Sequence, residues 1–325
     1  MNNKLLSIYI PTLNRCDMFN NCISSIVEQA KELKVPIYIS DNNSDDNTEN
    51  VALLFANNYE NIFYYKQKSR LDLDAHQNYY LKIVDSKYCL MIADDDALEP
   101  NALNHIVNIL KDYQPDFLLL NGYHYENDMI KKKYLNIDIN KDIPINNPIY
   151  LLEHYIFKMH FSMLIVDVDM AKQIDFNKYI GTYHAYVGIL FEYLSKVYEK
   201  NNSIKGLVVS SQMILIRDGE KTYSEKKIEV LFDMFPSLFE KLPLIYGESA
   251  KKKLYELIKQ QTYLKTLILF RINNFLDFDK INNYKKYINK YILIKIYLIC
   301  IIPKYILGLS YKLHLFLRKL LNAKR

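Results

Sequence analysis

The chain has 325 residues, half of them hydrophobic, with 42 basic and 37 acidic side chains. This excludes a disordered chain and leaves room for one large domain, or one domain with an appendage. Its four cysteines, Cys16, Cys22, Cys89 and Cys300, lack the close paired spacing of zinc or redox sites, and the excess of Ile, Lys, Asn and Tyr reads as the codon bias of an AT-rich genome.

Met1 to Lys4 lead straight into a strand-length apolar run, Leu5 to Ile10, with no basic-then-apolar leader, so a cytoplasmic location is expected. Phe19, Cys22, Ile23, Ile26 and Val27 then recur at i, i+3, i+4, i+7 and i+8, one face of a helix. Val35 to Ser40 predicts the next strand. Val51, Leu54 and Phe55 mark a second helix, with Ser44, Asp45 and Asp46 as candidate caps. Ile62 to Tyr65, Tyr88 to Ala93 and Phe117 to Leu120 complete the strand set. Pro100 takes a first-turn position ahead of a helix with Leu103, Ile106, Val107 and Leu110 on one face.

Strands separated by helix-length segments predict a Rossmann-like α/β fold, a mostly parallel sheet flanked by helices. Beyond residue 122 the pattern loosens. Asn140 to Pro148 reads as a loop, Phe161 to Val168 as a strand, Tyr186 to Tyr198 as a helix and Leu207 to Ile216 as a strand. The chain beyond Tyr223 reads as helical. The expected organisation is a domain over 1–222, with a ligand-binding half (1–122) and an acceptor half (123–222), followed by a helical region over 223–325.

The first glycine is Gly122. A dinucleotide-binding turn or a phosphate-cradling P-loop needs glycines after the first strand, so nicotinamide dehydrogenases and P-loop kinases are excluded. In parallel α/β sheets ligands bind beyond the carboxyl ends of the strands. That rule selects three polar loops: Pro11 to Arg15, Asp41 to Asp46, and Asp94 to Asp96.

In the third loop an apolar strand runs into three adjacent carboxylates. A divalent cation such as Mg²⁺ or Mn²⁺, shared with substrate phosphates, relieves their repulsion. Strand alternation would place Asp94 and Asp96 on one side and Asp95 on the other. A solvated acidic turn capping the helix near Pro100 is the competing reading. In the second loop Asp41 stands at a strand tip, able to accept a hydrogen bond from a base or ribose, while Ser44 to Thr48 reads as an Asx turn and N-cap. In the first loop Thr12, Asn14 and Arg15 offer backbone N–H groups, a hydroxyl and a guanidinium to an anionic or polar ligand.

Ile-Pro-Thr-Leu-Asn-Arg after the first strand, Ser-Asp-Asn-Asn-Ser-Asp-Asp-Asn-Thr after the second, and Ala-Asp-Asp-Asp-Ala-Leu-Glu-Pro near residue 95 together resemble family 2 of the inverting glycosyltransferases with the GT-A fold. The resemblance covers about residues 4–125 and looks closest to the bacterial abequosyltransferase-like branch. It implies transfer of a sugar from a nucleotide-diphosphate sugar, a UDP-sugar first among them, to a glycan acceptor in surface polysaccharide, capsule or lipooligosaccharide synthesis. By resemblance, Pro11, Thr12 and Asp41 line the nucleoside pocket, and Asn14, Arg15, Asn43 and Asp95 join the donor-binding set. Asp96 and Asp94 form the DxD pair, with Asp96 binding Mn²⁺ or Mg²⁺ and Asp94 the ribose or a metal-bound water. Arg70 and Asn78 fall where the family places donor contacts. The chain departs from the family at Asn42, where a second acid is common, and at Leu71-Asp72-Leu73-Asp74, where a glycine is common.

Inverting transfer needs a general base for the acceptor hydroxyl. The Glu-Asp pair that supplies it in much of the family is missing. His184, just ahead of a helix, is the candidate, because histidine titrates near neutral pH. A packed surface histidine is the competing reading, and Asp167, Asp169 and Asp175 are weaker candidates. A sugar nucleotidyltransferase and a catalytically inactive sugar-nucleotide-binding relative are the alternative functions.

The charge is unevenly spread. Lys280 to Arg325 holds eleven Lys or Arg and no acid, leaving 31 basic and 37 acidic groups, a net of −6, in the first 279 residues. The longest apolar run in that tail, Ile296 to Ile302, is seven residues and the longest charge-free one, to Pro303, is eight, far short of the roughly twenty needed to span a bilayer. Basic residues among aliphatic and Tyr partners suit a helix on an anionic inner-leaflet surface, where a lipid-linked glycan acceptor would be met. A hairpin packing on the catalytic domain or on a second subunit is the competing use. Nucleic acid is excluded as a partner by the tail's apolar content.

Overall fold

The computed structural model describes residues 5–126, 129, 131–218, 226–283 and 286–312. It forms two compact units, Met1–Gly219 with Leu242–Gly247, and Glu220–Lys241 with Glu248–Arg325. The boundary expected at 222/223 falls outside the described residues.

The larger unit is built on one sheet whose strands are β1 (Leu6–Thr12), β2 (Ile37–Asp41), β3 (Ile62–Lys66), β4 (Tyr88–Met91), β5 (Ala97–Leu98), β6 (Phe117–Tyr125), β7 (Tyr134–Leu135), β8 (Ile143–Ile145), β9 (Leu164–Asp167) and β10 (Gly206–Arg217). Their order is β3-β2-β1-β4-β9-β6-β10-β5, with β7 on β6 and β8 on β10. The half made by β3, β2, β1 and β4 is parallel throughout. Next to it β9 runs antiparallel to both β4 and β6. The parallel half explains the unbroken apolar runs of β1, β2 and β4, because helices cover both faces of such a sheet. Gly122 lies in β6 against β10, where a Cβ would fall 2.1 Å from the Ile214 carbonyl oxygen.

Helices α1 (Cys16–Leu33), α2 (Thr48–Asn58), α3 (Leu73–Gln77), α4 (Tyr80–Ile83), α5 (Ala102–Tyr113), α6 (Pro148–Tyr155), α7 (Val168–Lys172) and α8 (Ala185–Asn201) fill the connections. Helix α1 buries Phe19, Cys22, Ile23, Ile26 and Val27, and α5 buries Leu103, Ile106, Val107 and Leu110, as their periodicities require. Helix α2 differs. It buries Thr48 and Ala52 and leaves Leu54 61% exposed, because it flanks the sheet's edge strand β3, whose own residues are mostly half-buried. The strand expected over Phe161 to Val168 is interrupted as well. Phe161–Met163 is a 3₁₀ turn, only Leu164–Asp167 is extended, and Val168 already begins α7. The Ser162 hydroxyl holds that turn by accepting a hydrogen bond from the Ala93 N–H at 2.9 Å.

The smaller unit is helical. It has its own core of Phe232, Leu267, Leu276, Ile281, Ile296 and Ile299, among others.

Candidate active site

The carboxyl ends of β1, β2 and β4 bring the three polar loops together. In register, Thr12 at the end of β1 faces Asp41 at the end of β2. Side chains then tie the loops across. The Asn14 N–H donates to Ser44 Oγ at 2.9 Å, and Asn14 Oδ1 accepts from the Asp45 N–H at 2.7 Å. Asp46 Oδ2 accepts from the Cys16 N–H at 3.0 Å, serving the start of α1 from the neighbouring loop. Asn14 and Asn43 both take left-handed backbone, with φ of 53° and 65°, a conformation asparagine tolerates better than most residues.

The acidic loop departs from the alternation expected of it. Residues 94 and 95 form a turn, closed by the Asp96 N–H donating to the Ala93 carbonyl at 3.1 Å, so a period of two does not apply. Arg15 Nη1 donates to Asp94 Oδ1 at 2.9 Å and to Asp95 Oδ2 at 3.0 Å. Asp94 and Asp95 therefore share one guanidinium, and Asp96 turns elsewhere. Its Oδ1 accepts from the Arg217 N–H at 2.8 Å and its Oδ2 from the Ser162 hydroxyl. The Tyr125 hydroxyl donates to the Asp95 carbonyl at 2.9 Å and fixes the turn from β6. Asp94 and Asp96 are both buried. Burial pushes the Asp94 carboxyl up to about 6 although Arg15 pulls it down.

Among the described residues, no group of three or more His, Cys, Asp or Glu side chains is arranged to hold a metal ion. The donor chemistry at Asp94 and Asp96 nonetheless suits a divalent cation that completes its shell with substrate phosphates. These are oxygen ligands, one of them destabilised in its charged form by burial, and each bonded carboxylate oxygen keeps a lone pair.

Asp41 is fully buried, its Oδ1 accepting from the Ser44 N–H and its Oδ2 from the Tyr64 hydroxyl, both at 2.8 Å. Burial first, then the Asp41 bond, push the Tyr64 phenol upward. Pro11 is half-buried and Thr12 buried. Arg70 lies at the exposed rim, ion-paired with Asp45. Asn78 is buried, its amide donating to the Asp74 carbonyl at 2.7 Å, while its Oδ1 has no hydrogen-bond partner.

His184 caps α8 at its N-terminus, with its N–H donating to Thr182 Oγ1 at 3.2 Å and its Nδ1 3.4 Å from the Thr182 carbonyl. Asp167 and Asp175 are helix caps, accepting from the Met170 and Asn177 N–H groups.

Four contributors were not among the site residues expected from the sequence. Asn42 clamps the Arg70 segment: its Nδ2 donates to the Leu71 carbonyl at 3.1 Å and its Oδ1 accepts from the Leu71 N–H at 2.7 Å. An aspartate would lack the donor, so the family's second acid would not serve here. Asp74, 1% exposed, accepts from the N–H groups of Gly181 at 2.9 Å, Tyr183 at 3.0 Å and Ala185 at 3.1 Å. It thereby sets the loop that holds His184. Gly181 and Tyr183 take φ of +83° and +64° to present those N–H groups, and at Tyr183 this is a strained conformation. Ser162 and Arg217 complete the list. Ser162 carries no motif that could flag it, whereas Arg217 ends β10, and the strand-end rule would have reached it.

The curled sheet flanked by helices, with the acidic turn after β4, is a GT-A-type fold. Residues 7–168 match the model of glycosyl transferase family 2, and the chain belongs to that family. It is similar to the abequosyltransferase RfbV of Salmonella typhimurium, with 30% identity over 218 residues, 59% of this chain and 65% of that one. It is also similar to a poly(ribitol-phosphate) beta-glucosyltransferase of Bacillus spizizenii, with 26% identity over 41% of this chain and 22% of the relative. The chain thus spans less than two thirds of either relative. Among solved structures it resembles S. aureus TarS 1–349 in complex with UDP-GlcNAc (TM-score 0.59, 12% identity, 89% of this chain and 82% of that one). A mannosyltransferase from Pyrobaculum calidifontis in complex with GDP-Man and Mn²⁺ matches at TM-score 0.51 and 12% identity, over 92% and 86% of the two chains. At these identities the two structures speak for the fold alone.

Proposed function

We propose that this chain is an inverting glycosyltransferase that moves a sugar from a nucleotide-diphosphate sugar to a glycan acceptor in bacterial surface polysaccharide synthesis. The observation that carries the reading is the buried acidic turn after β4, tied through Arg15 to the loop after β1, which Asn14 ties to the loop after β2. A UDP-sugar is the proposed donor, as the resemblance of the three loop motifs to the family implies. The two relatives named for sugar transfer support the reaction class.

In this reading Asp41 and Thr12 border the nucleoside, and Arg15 stands where the diphosphate would come against the acidic turn. Asp94 and Asp96 would hold Mn²⁺ or Mg²⁺, which when bound offsets charge building on the leaving diphosphate. The acceptor hydroxyl oxygen bonds to the anomeric carbon as the carbon–oxygen bond to the diphosphate breaks, and its proton passes to a base, for which we propose His184. Asp74 keeps the His184 loop in place.

A panel of nucleotide sugars with Mn²⁺, with and without glycan acceptors, tests the reading. Transfer from one donor is expected, and Asp96→Ala should abolish it while leaving the folded structure intact. An Asp96→Ala protein with near-wild-type, metal-stimulated turnover removes the metal assignment. A His184 substitution that leaves turnover unchanged across neutral pH removes the base.

A further inference from the structure

Twelve of the seventeen large apolar side chains exposed among the described residues belong to the smaller unit, and eight of them fall within the nineteen residues from Tyr291 to Leu309. Single exposed apolar residues are ordinary, but a contiguous group marks a surface that something covers. The helix Lys290–Ile301 is apolar on both sides. Ile296, Ile299 and Cys300 turn into the unit's core, while Tyr291 (83% exposed), Ile294, Leu298 and Ile301 (67%), spaced three, four and three apart, form the outer face. A second helix, Lys304–Lys312, follows at a bend of 94° and adds Tyr305, Ile306 and Leu309 to the exposed set.

No single described helix is long and apolar enough to cross a membrane. The lysines Lys290, Lys304 and Lys312 are exposed along this same segment, and no acidic residue occurs from Lys280 to the last residue. We infer that this bent pair of helices is a docking surface that lies in the interface of an anionic lipid bilayer, its aliphatic and tyrosine side chains among the acyl chains and its lysines at the headgroups. The observations favour lipid over a second copy of the chain for an electrostatic reason. A two-fold contact would set the same lysine-bearing, acid-free face against itself, bringing like charges together with no partners. Anionic headgroups match both the sign and the alternation of apolar and basic residues. The inference stands on the smaller unit alone and does not depend on the proposed chemistry.

The test is flotation of the purified full chain with vesicles of phosphatidylcholine alone or mixed with phosphatidylglycerol. The chain should float with the mixed vesicles, bind phosphatidylcholine at least about tenfold more weakly, and be released by salt. The triple change Leu298→Ser, Ile301→Ser and Tyr305→Ser, all at exposed positions, should abolish flotation without altering the far-ultraviolet circular dichroism or the melting temperature. Lys290→Glu with Lys304→Glu should weaken binding and flatten its salt dependence. Equal binding to both vesicle types, no binding to either, or a self-associated species dissolved by the serine changes would each overturn the proposal. In the last case, the second copy would be the occupant.

Discussion

Arg15 Nη1 lies 2.9 Å from Asp94 Oδ1, placing a positive charge from the loop after β1 against a buried acid at the end of β4. Burial alone would keep that acid protonated further into the neutral range; the guanidinium draws it back to about 6. If the donor site needs Asp94 ionised, kcat/KM should rise with pH through about 6. Removing the guanidinium raises the carboxyl, so in Arg15→Gln the acidic limb should move up by about one unit or more. A limb that stays in place would show that the pair does not govern the site.

Asn42 uses both ends of its amide on the Leu71 backbone. In Asn42→Asp the acceptor remains, but a carboxylate faces the Leu71 carbonyl with no hydrogen to offer. The buried mismatch should cost about 1–3 kcal/mol, read as a lower urea midpoint. The loosened Arg70 segment should raise the donor KM. An unchanged midpoint would dispose of the clamp.

Asp74→Asn puts an NH₂ where three backbone N–H groups now find oxygen. The loop from Gly181 to Ala185 should lose its setting. A misplacement of about 1 Å costs about 100-fold in rate, and a loss of that order in kcat is expected. The expected signature is a fall in kcat with the donor KM nearly unchanged, since the donor loops keep their own ties. Asp74→Glu should not restore the rate, because its longer arm cannot reach all three groups from the same backbone. Equal losses in kcat and donor affinity would mean that the whole fold had shifted.

His76 is buried against Ser40, its Nε2 3.0 Å from the Ser40 carbonyl, and desolvation lowers it to about 4. As pH falls, the unfolded chain therefore takes up this proton before the folded one. The contribution to stability is complete above about 6.5 and is lost as pH falls towards about 4. Between pH 7 and 5 the wild type should lose about 2 kcal/mol more than His76→Gln in urea unfolding. The paired comparison is needed because Asp94, raised rather than lowered, contributes in the opposite direction over the same range. Identical pH slopes for the two proteins would refute the assignment.

Local pattern was enough to find the α/β half, the faces of α1 and α5, and the three loops. A repeat of two or 3.6 records which side of an element is buried, and polar residues gather where strands end. The absence of glycine before Gly122 was equally plain, and it removed two enzyme classes without any coordinates. The edge packing of α2 and the break of the Phe161 to Val168 run into turn, strand and helix were not legible. Both depend on what lies across the sheet, as Ser162 does on Ala93 and Asp96.

The same division runs through the site. From the residues alone, the chain was a carboxylate cluster at a strand end flanked by two polar loops, and that much named the family. Only the tertiary structure decided which carboxylate faces which partner. A four-residue turn cancels strand alternation, so Asp94 and Asp95 meet Arg15, 79 and 80 positions away, while Asp96 meets Ser162 and Arg217, 66 and 121 positions away. Asp74 likewise reads in sequence as a departure from the family, yet in space it serves three N–H groups more than a hundred residues downstream. Hydrogen bonds and ion pairs are short-ranged in space and indifferent to distance along the chain, so the identities of the acids could be read early and their roles could not.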